Sequence, residues 1–145
     1  MKLNHKNNYT RLGFILLFLL SVLAAFYPAV HPEATTPFDT GDLSWMLSAS
    51  GLVLLMTPGL SFFYGGMVNP KNIISTMLQA FIALGVVSVL WYVVGFSLSF
   101  GSDIGGLIGN PLTFFMFDQV GTAAHPTLGA GLPLVLFSSF QLKFA

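Results

Sequence analysis

Phe137, Phe140 and Phe144 recur at i, i+3 and i+7 with Gln141 beside them, so on an α-helix the three rings share one stripe. Two roles are open to such rings. The ordinary one is packing against lipid or a neighbouring helix. The other is attraction of a small cation by the negative face of the ring. Phe63 and Tyr64, in the run FFYGG, pose the same choice, between an interfacial aromatic belt and the lining of a passage. The apolar stretches hold no acid and no histidine, and Lys143 is their one cation. A membrane enzyme is therefore disfavoured, because no stretch carries an acid, base or nucleophile cluster.

Lys143 sits about 100° around a helix from Phe144. A lysine inside a span costs about 2.5 to 3.5 kcal/mol on insertion scales, so it is expected to face another helix or protomer. A cation at the ring stripe would repel a cationic guest, and Lys143 is given no transport role. Asp103, Asp118 and His125 have no ligand spacing, and they read as solvated loop residues rather than a metal site. With no cysteine, neither a disulfide nor a thiolate site is available, and no cofactor is indicated.

Elements that could position these rings follow from the charge pattern. No charged side chain lies between Asp42 and Lys71, and residues 43–64 suffice to cross roughly 30 Å of hydrocarbon at 1.5 Å per residue. This first span contains Pro58 and Gly59, which loosen a helix, and Ser48, Ala49, Ser50 and Gly51, which let another helix approach. Asn69, Pro70, Lys71 and Asn72 form a tight turn. A second span runs over about 72–100 and is longer than a bilayer needs. Gly85 and Gly95 are expected at close helix contacts, Gln79 is its strong polar residue, and Trp91 and Tyr92 are expected to pack against neighbouring helices.

Residues 101–131 are rich in glycine and proline and read as a loop, with LTFFMF either at the interface or capping the bundle. A third span begins near Leu132 and reaches only Ala145, roughly 20 Å of helix, too short to cross. The chain thus reads as two complete spans and a truncated third. At the other end Lys2, Lys6 and Arg11 precede an apolar run from Leu12 to about Ala25. A removable signal peptide within residues 1–30, with a small-residue cleavage pattern at Val22 and Ala24, and an uncleaved extra helix both fit. Residues 31–42 read as a polar linker in water outside the membrane. The sparse cations put Lys71 on the cytoplasmic side.

Composition agrees: 54% hydrophobic residues, 7% charged and a mean hydropathy of +0.81 require a bilayer. A formal net charge of zero argues against a nucleic-acid binder, which needs a basic surface.

Three collinear pieces, MTPGLSFFYGGMVNPKN, WYVVGFSLSFG and FQLKFA, resemble signatures of the ammonium transporter family, with the Rhesus proteins as relatives. The resemblance covers about Phe38 to Ala145. It implies an all-α integral membrane protein, the first part of an eleven-helix fold in the inner (cell) membrane, multi-pass, and a homotrimer whose protomers each hold a narrow pore. Ammonium would be recruited outside, lose its proton and pass as ammonia through an apolar lumen. By the resemblance, Phe140 matches the outer recruitment site, Phe144 a gating ring, Gln141 a vestibule support, and Phe63 and Tyr64 the lower pore lining. It also implies a PII-type regulatory protein as partner and pore histidines beyond Ala145, so that this stretch would not conduct alone. A Rhesus-type gas channel and an ammonium sensor fused to a signalling module are the alternatives.

Overall fold

The computed structural model describes residues 3–34, 37–129 and 131–145, and for 3–10 the backbone only. Lys2 of the leading cations and Thr35 and Thr36 of the linker lie outside the described residues. The chain is predominantly helical: α1 spans Leu3–Phe26, α2 Thr40–Met67, α3 Ile73–Leu90, α4 Phe96–Phe100 and α5 Leu134–Gln141. A π-helical turn at Trp91–Gly95 joins α3 to α4, so that Pro70–Phe100 forms one continuous 31-residue rod. This rod and α2 are both long and apolar enough to cross a membrane.

α2 outruns the expected 43–64 at both ends, and its start is capped. Asp39 accepts hydrogen bonds from the amides of Gly41 (2.7 Å) and Asp42 (3.0 Å), satisfying two of the amides that a helix start leaves unpaired. The helix continues through Pro58 without a break. Its buried stripe runs through Ser50, Ser61 and Gly65, with Val53 and Thr57 half-buried between them and Met46 half-buried one turn before Ser50. These spacings near three and four residues mark one face, and its small side chains let α3 lie close. The turn between α2 and α3 is a 3₁₀ turn at Pro70–Asn72, with Asn69 accepting from the Lys71 amide at 3.1 Å.

Gly85 departs from expectation. A Cβ there would meet nothing within 4 Å, and Gly85 instead borders an apolar cavity of about 590 Å³ between α1 and α3. Gly95 is tight, but against its own rod and not a neighbouring helix: its missing Cβ lies 3.3 Å from the Leu90 carbonyl and the Trp91 ring within the π-helical turn.

Past α4 the chain makes a two-stranded antiparallel hairpin, β1 (Asp103–Ile104) and β2 (Ile108–Gly109), closed at Gly105 and Gly106 with positive φ, which glycine adopts freely. The aromatic run after it caps the bundle. Phe114 and Met116 are buried, and the core gathers Trp91, Phe96, Phe114, Val120 and Leu134. The start of the expected 31–42 linker, with Val30 before it, stays largely exposed but is hydrogen-bonded along residues 118–123. Backbone pairing carries this, so apolar side chains, the signal read from sequence, are not required.

Candidate functional site

The site is organised by Trp91. It opens the π-helical turn, a rare geometry that widens a helix by one residue and is found disproportionately at functional sites. There its indole is buried and its Nε1 donates to Ser138 Oγ of α5 at 3.1 Å. Ser138 is fully buried. An unpaired indole N–H or hydroxyl in this setting would cost about 1–3 kcal/mol, so the pair fixes the rotation of α5 about its axis. Phe96, Phe100 and Phe114 surround the pair, with Trp91 5.9 Å from Phe96 and 6.3 Å from Phe100 between ring centroids.

The first turn of α5 is held by backbone alone. Pro133 supplies no side-chain cap. The Leu134 amide donates to the Ala123 carbonyl (3.1 Å) and the Val135 amide to the Gly121 carbonyl (3.0 Å). The extended loop segment at 121–123 therefore does the work of a helix cap.

With Ser138 facing Trp91, Phe140 lies about 200° around the helix, on the side away from Trp91. Phe140 and Phe144 meet edge to face at 5.2 Å, Phe140 half-buried and Phe144 57% exposed. Gln141 is half-buried beside them. Phe137 leaves the expected stripe: it packs edge to face on Phe100 at 5.2 Å within the core. One turn of helix separates a core ring from a ring pair that has no other aromatic partner among the described residues. Lys143 Nζ donates to the Ser139 carbonyl of its own helix and lines a cavity of about 240 Å³ with Met56, Thr57, Leu84 and Val87. Phe144 lines the same cavity, so Lys143 and one ring of the pair share a recess against α2 and α3, closer together than their 100° separation on a helix suggested.

At the turn end, Ser61 Oγ donates to the Met77 carbonyl at 3.0 Å, and Gly65 faces the Met77 side chain. These contacts lock α2 to α3. Tyr64, next to that seam, borders a cavity of about 620 Å³ with Met67, Thr76 and Gln79. Phe63, 61% exposed, lies about 160° around α2 from Gly65 and meets Tyr64 edge to face at 5.7 Å. The structure does not bring Phe63 and Tyr64 together with Phe140 and Phe144: Phe144 borders a cavity with Met56 and Thr57 near the middle of α2, whereas Phe63 and Tyr64 lie further toward its turn end.

The three scattered loop residues each accept backbone amides. Asp103 accepts from the Gly106 amide, Asp118 from the Val30 amide, and His125 Nδ1 from the amides of Thr127 and Leu128. Among the described residues no three His, Asp or Glu side chains group as metal ligands. The residues that sequence reasoning missed are Ser138, Ser61 and Ser97, all buried. Ser97 Oγ accepts the Phe114 amide at 2.8 Å. A serine amid apolar helix is the signal that could have found them, since a hydroxyl there must be satisfied inside protein.

Residues 44–145 match the family model described as Ammonium Transporter Family. The chain is 43% identical over 120 residues to an ammonium transporter of Mycobacterium tuberculosis, covering 74% of this chain and 25% of that protein. It is 42% identical over 135 residues to an ammonium transporter of Aquifex aeolicus, covering 92% and 30%, and 46% identical over 105 residues to one of Archaeoglobus fulgidus, covering 72% and 24%. It spans about a quarter of the length of these relatives. No solved structure matches.

Proposed function

This chain belongs to the ammonium transporter family, a family of integral membrane transporters rather than enzymes, and on that premise we propose that the protein carries ammonium or ammonia across the cell's inner membrane as a multi-pass pore. The observation that carries the reading is the family match across 44–145. In this reading the loop end of the bundle faces outside, and Phe140 and Phe144 take the cation. A ring face attracts a small cation by about 0.5 to 2 kcal/mol, more as the site dries. The edge-to-face pair on the side of α5 away from Trp91 supports that role. Rings and hydrogen-bond acceptors also favour an ion that can shed its proton, whereas a carboxylate would hold sodium or potassium equally well. Gln141 orders the vestibule, and Phe63 and Tyr64 line the lower passage toward the cytoplasm.

The remaining features that come from the family are an eleven-helix fold of which residues 43–145 supply the first part, a homotrimer, and a PII-type protein that regulates the cytoplasmic side; a removable leader within residues 1–30 rests on the basic residues that precede its apolar run. Residues 43–145 alone would not conduct. Uptake of labelled methylammonium by cells whose own ammonium uptake has been deleted tests the reading. The full-length protein should restore uptake, and competition by ammonium but not by potassium should abolish it. Absence of ammonium-sensitive uptake from protein shown to reach the membrane would overturn it.

A further inference from the structure

Residues 27–34 form no regular secondary structure, yet they are tied along their length to residues 115–123. The Gln119 amide donates to the Val30 carbonyl at 2.7 Å and the Ala123 amide to the Pro32 carbonyl at 3.0 Å. The Val30 amide donates to Asp118 Oδ1 at 2.8 Å and the Ala34 amide to Thr122 Oγ1 at 3.1 Å. His31 Nδ1 pairs with the Val120 carbonyl at 3.0 Å, and the Tyr27 ring meets Phe115 edge to face at 5.8 Å. At Gly121 the backbones approach so closely that a Cβ would collide with the Pro32 carbonyl oxygen.

The segment these residues grip is strained and structurally important. Met116, Phe117 and Gln119 all have positive φ, at 53°, 64° and 61°, a conformation that non-glycine residues hold only when their surroundings impose it. On its other side the turn is pinned by Phe117 stacked on Tyr92 at 4.7 Å. The stretch that follows it supplies the carbonyls of Gly121 and Ala123 that cap α5.

We infer that Tyr27–Ala34 is a permanent strap, an outer layer that holds the 116–123 segment in its strained shape and thereby seats α5. These residues then belong to the folded protein, and any proteolytic removal of α1 must cut before Tyr27. The inference rests on backbone geometry and does not depend on what the protein transports.

Residues 1–145 contain no cysteine, so once any cysteine elsewhere in the full-length protein is replaced, an introduced pair reports cleanly. Ala34→Cys with Thr122→Cys in the full-length protein in its membrane should form an intramolecular disulfide on mild oxidation with copper phenanthroline. A control pair, Ala34→Cys with Leu107→Cys, should not. Gly121→Val should raise the rate at which added chymotrypsin cuts within 101–131 by about tenfold, the opening expected when two or so backbone hydrogen bonds are lost. Leu107→Ser, at a hairpin side chain that is 92% exposed, should leave cutting of 116–123 unchanged. Cross-linking no greater than in the control pair, or a mature N-terminus mapped beyond Tyr27, would overturn the inference. Because the cross-link is read without Gly121→Val, failure of that variant to fold leaves the test intact.

Discussion

The indole of Trp91 and the hydroxyl of Ser138, 47 residues apart in sequence, meet in a buried hydrogen bond of 3.1 Å that joins the second long helix to α5. Neither partner reaches water, so each depends on the other. Ser138→Ala should destabilise the protein by about 1–3 kcal/mol, the cost of a stranded buried donor. Trp91→Phe should also destabilise, through lost packing. A double-mutant cycle read by thermal unfolding in detergent should show coupling of about 0.5–1.5 kcal/mol. Additive effects would show that the bond does not fix α5.

Glycine positions divide sharply. A Cβ at Gly101 would collide with the Ser97 carbonyl oxygen and one at Gly109 with the carbonyls of Ser97 and Leu98, whereas Cβ atoms at Gly51 and Gly59 meet nothing within 4 Å. Gly101→Ala and Gly109→Ala are expected to lower folded yield strongly, by an overpacking cost of about 1–3 kcal/mol each. Gly51→Ala and Gly59→Ala should be neutral or slightly stabilising in the described bundle, since alanine is the better helix former. Fluorescence-detected size-exclusion chromatography of the four variants distinguishes these outcomes.

The ring pair can be separated into two roles by kinetics. Phe140→Ala should chiefly weaken capture, raising the methylammonium concentration needed for half-maximal uptake by about 2- to 30-fold, the equivalent of one lost cation–ring contact. Phe144→Ala should chiefly alter the maximal rate or the selectivity against potassium. If both variants transport like the parent protein, the rings serve packing alone.

Capping at Asp39 is a local effect with a local readout. Asp39→Ala should cost about 1 kcal/mol of helix stability, and hydrogen exchange at Gly41 and Asp42 should speed up about fivefold while exchange in the middle of α2 is unchanged. Asp39→Asn should retain most of the protection, because asparagine caps equally well. Loss of protection along the whole of α2 would mean that the cap governs more than the first turn.

Much of the architecture is legible in the order of the residues. Two uncharged runs, each long enough to cross a membrane, define α2 and the rod from Pro70 to Phe100, because a bilayer accepts only backbone that satisfies itself. The turn at Asn69–Asn72 follows from proline and asparagine chemistry. The inward packing of Trp91 is readable too, since it falls too far from the end of its helix for an interfacial belt. Gly85 shows where such reading fails: a glycine in an apolar helix suggests a close neighbour, but only the arrangement of α1 and α3 shows that the space beside it is open.

What the sequence by itself determined is the class of protein, the helices and the aromatic character of any site, because hydropathy, charge spacing and turn residues act over a few neighbours. Only the tertiary structure decided that Phe137 joins the core while Phe140 and Phe144 turn the other way, that Ser138 answers Trp91, and that Val30–Ala34 lies along the stretch that caps α5. The Trp91–Ser138 bond and the bonds of Val30 and His31 pair groups 47 to 89 residues apart; a buried serine or an unpaired backbone group in the sequence signals that a partner is needed, but only the tertiary structure says which one it is.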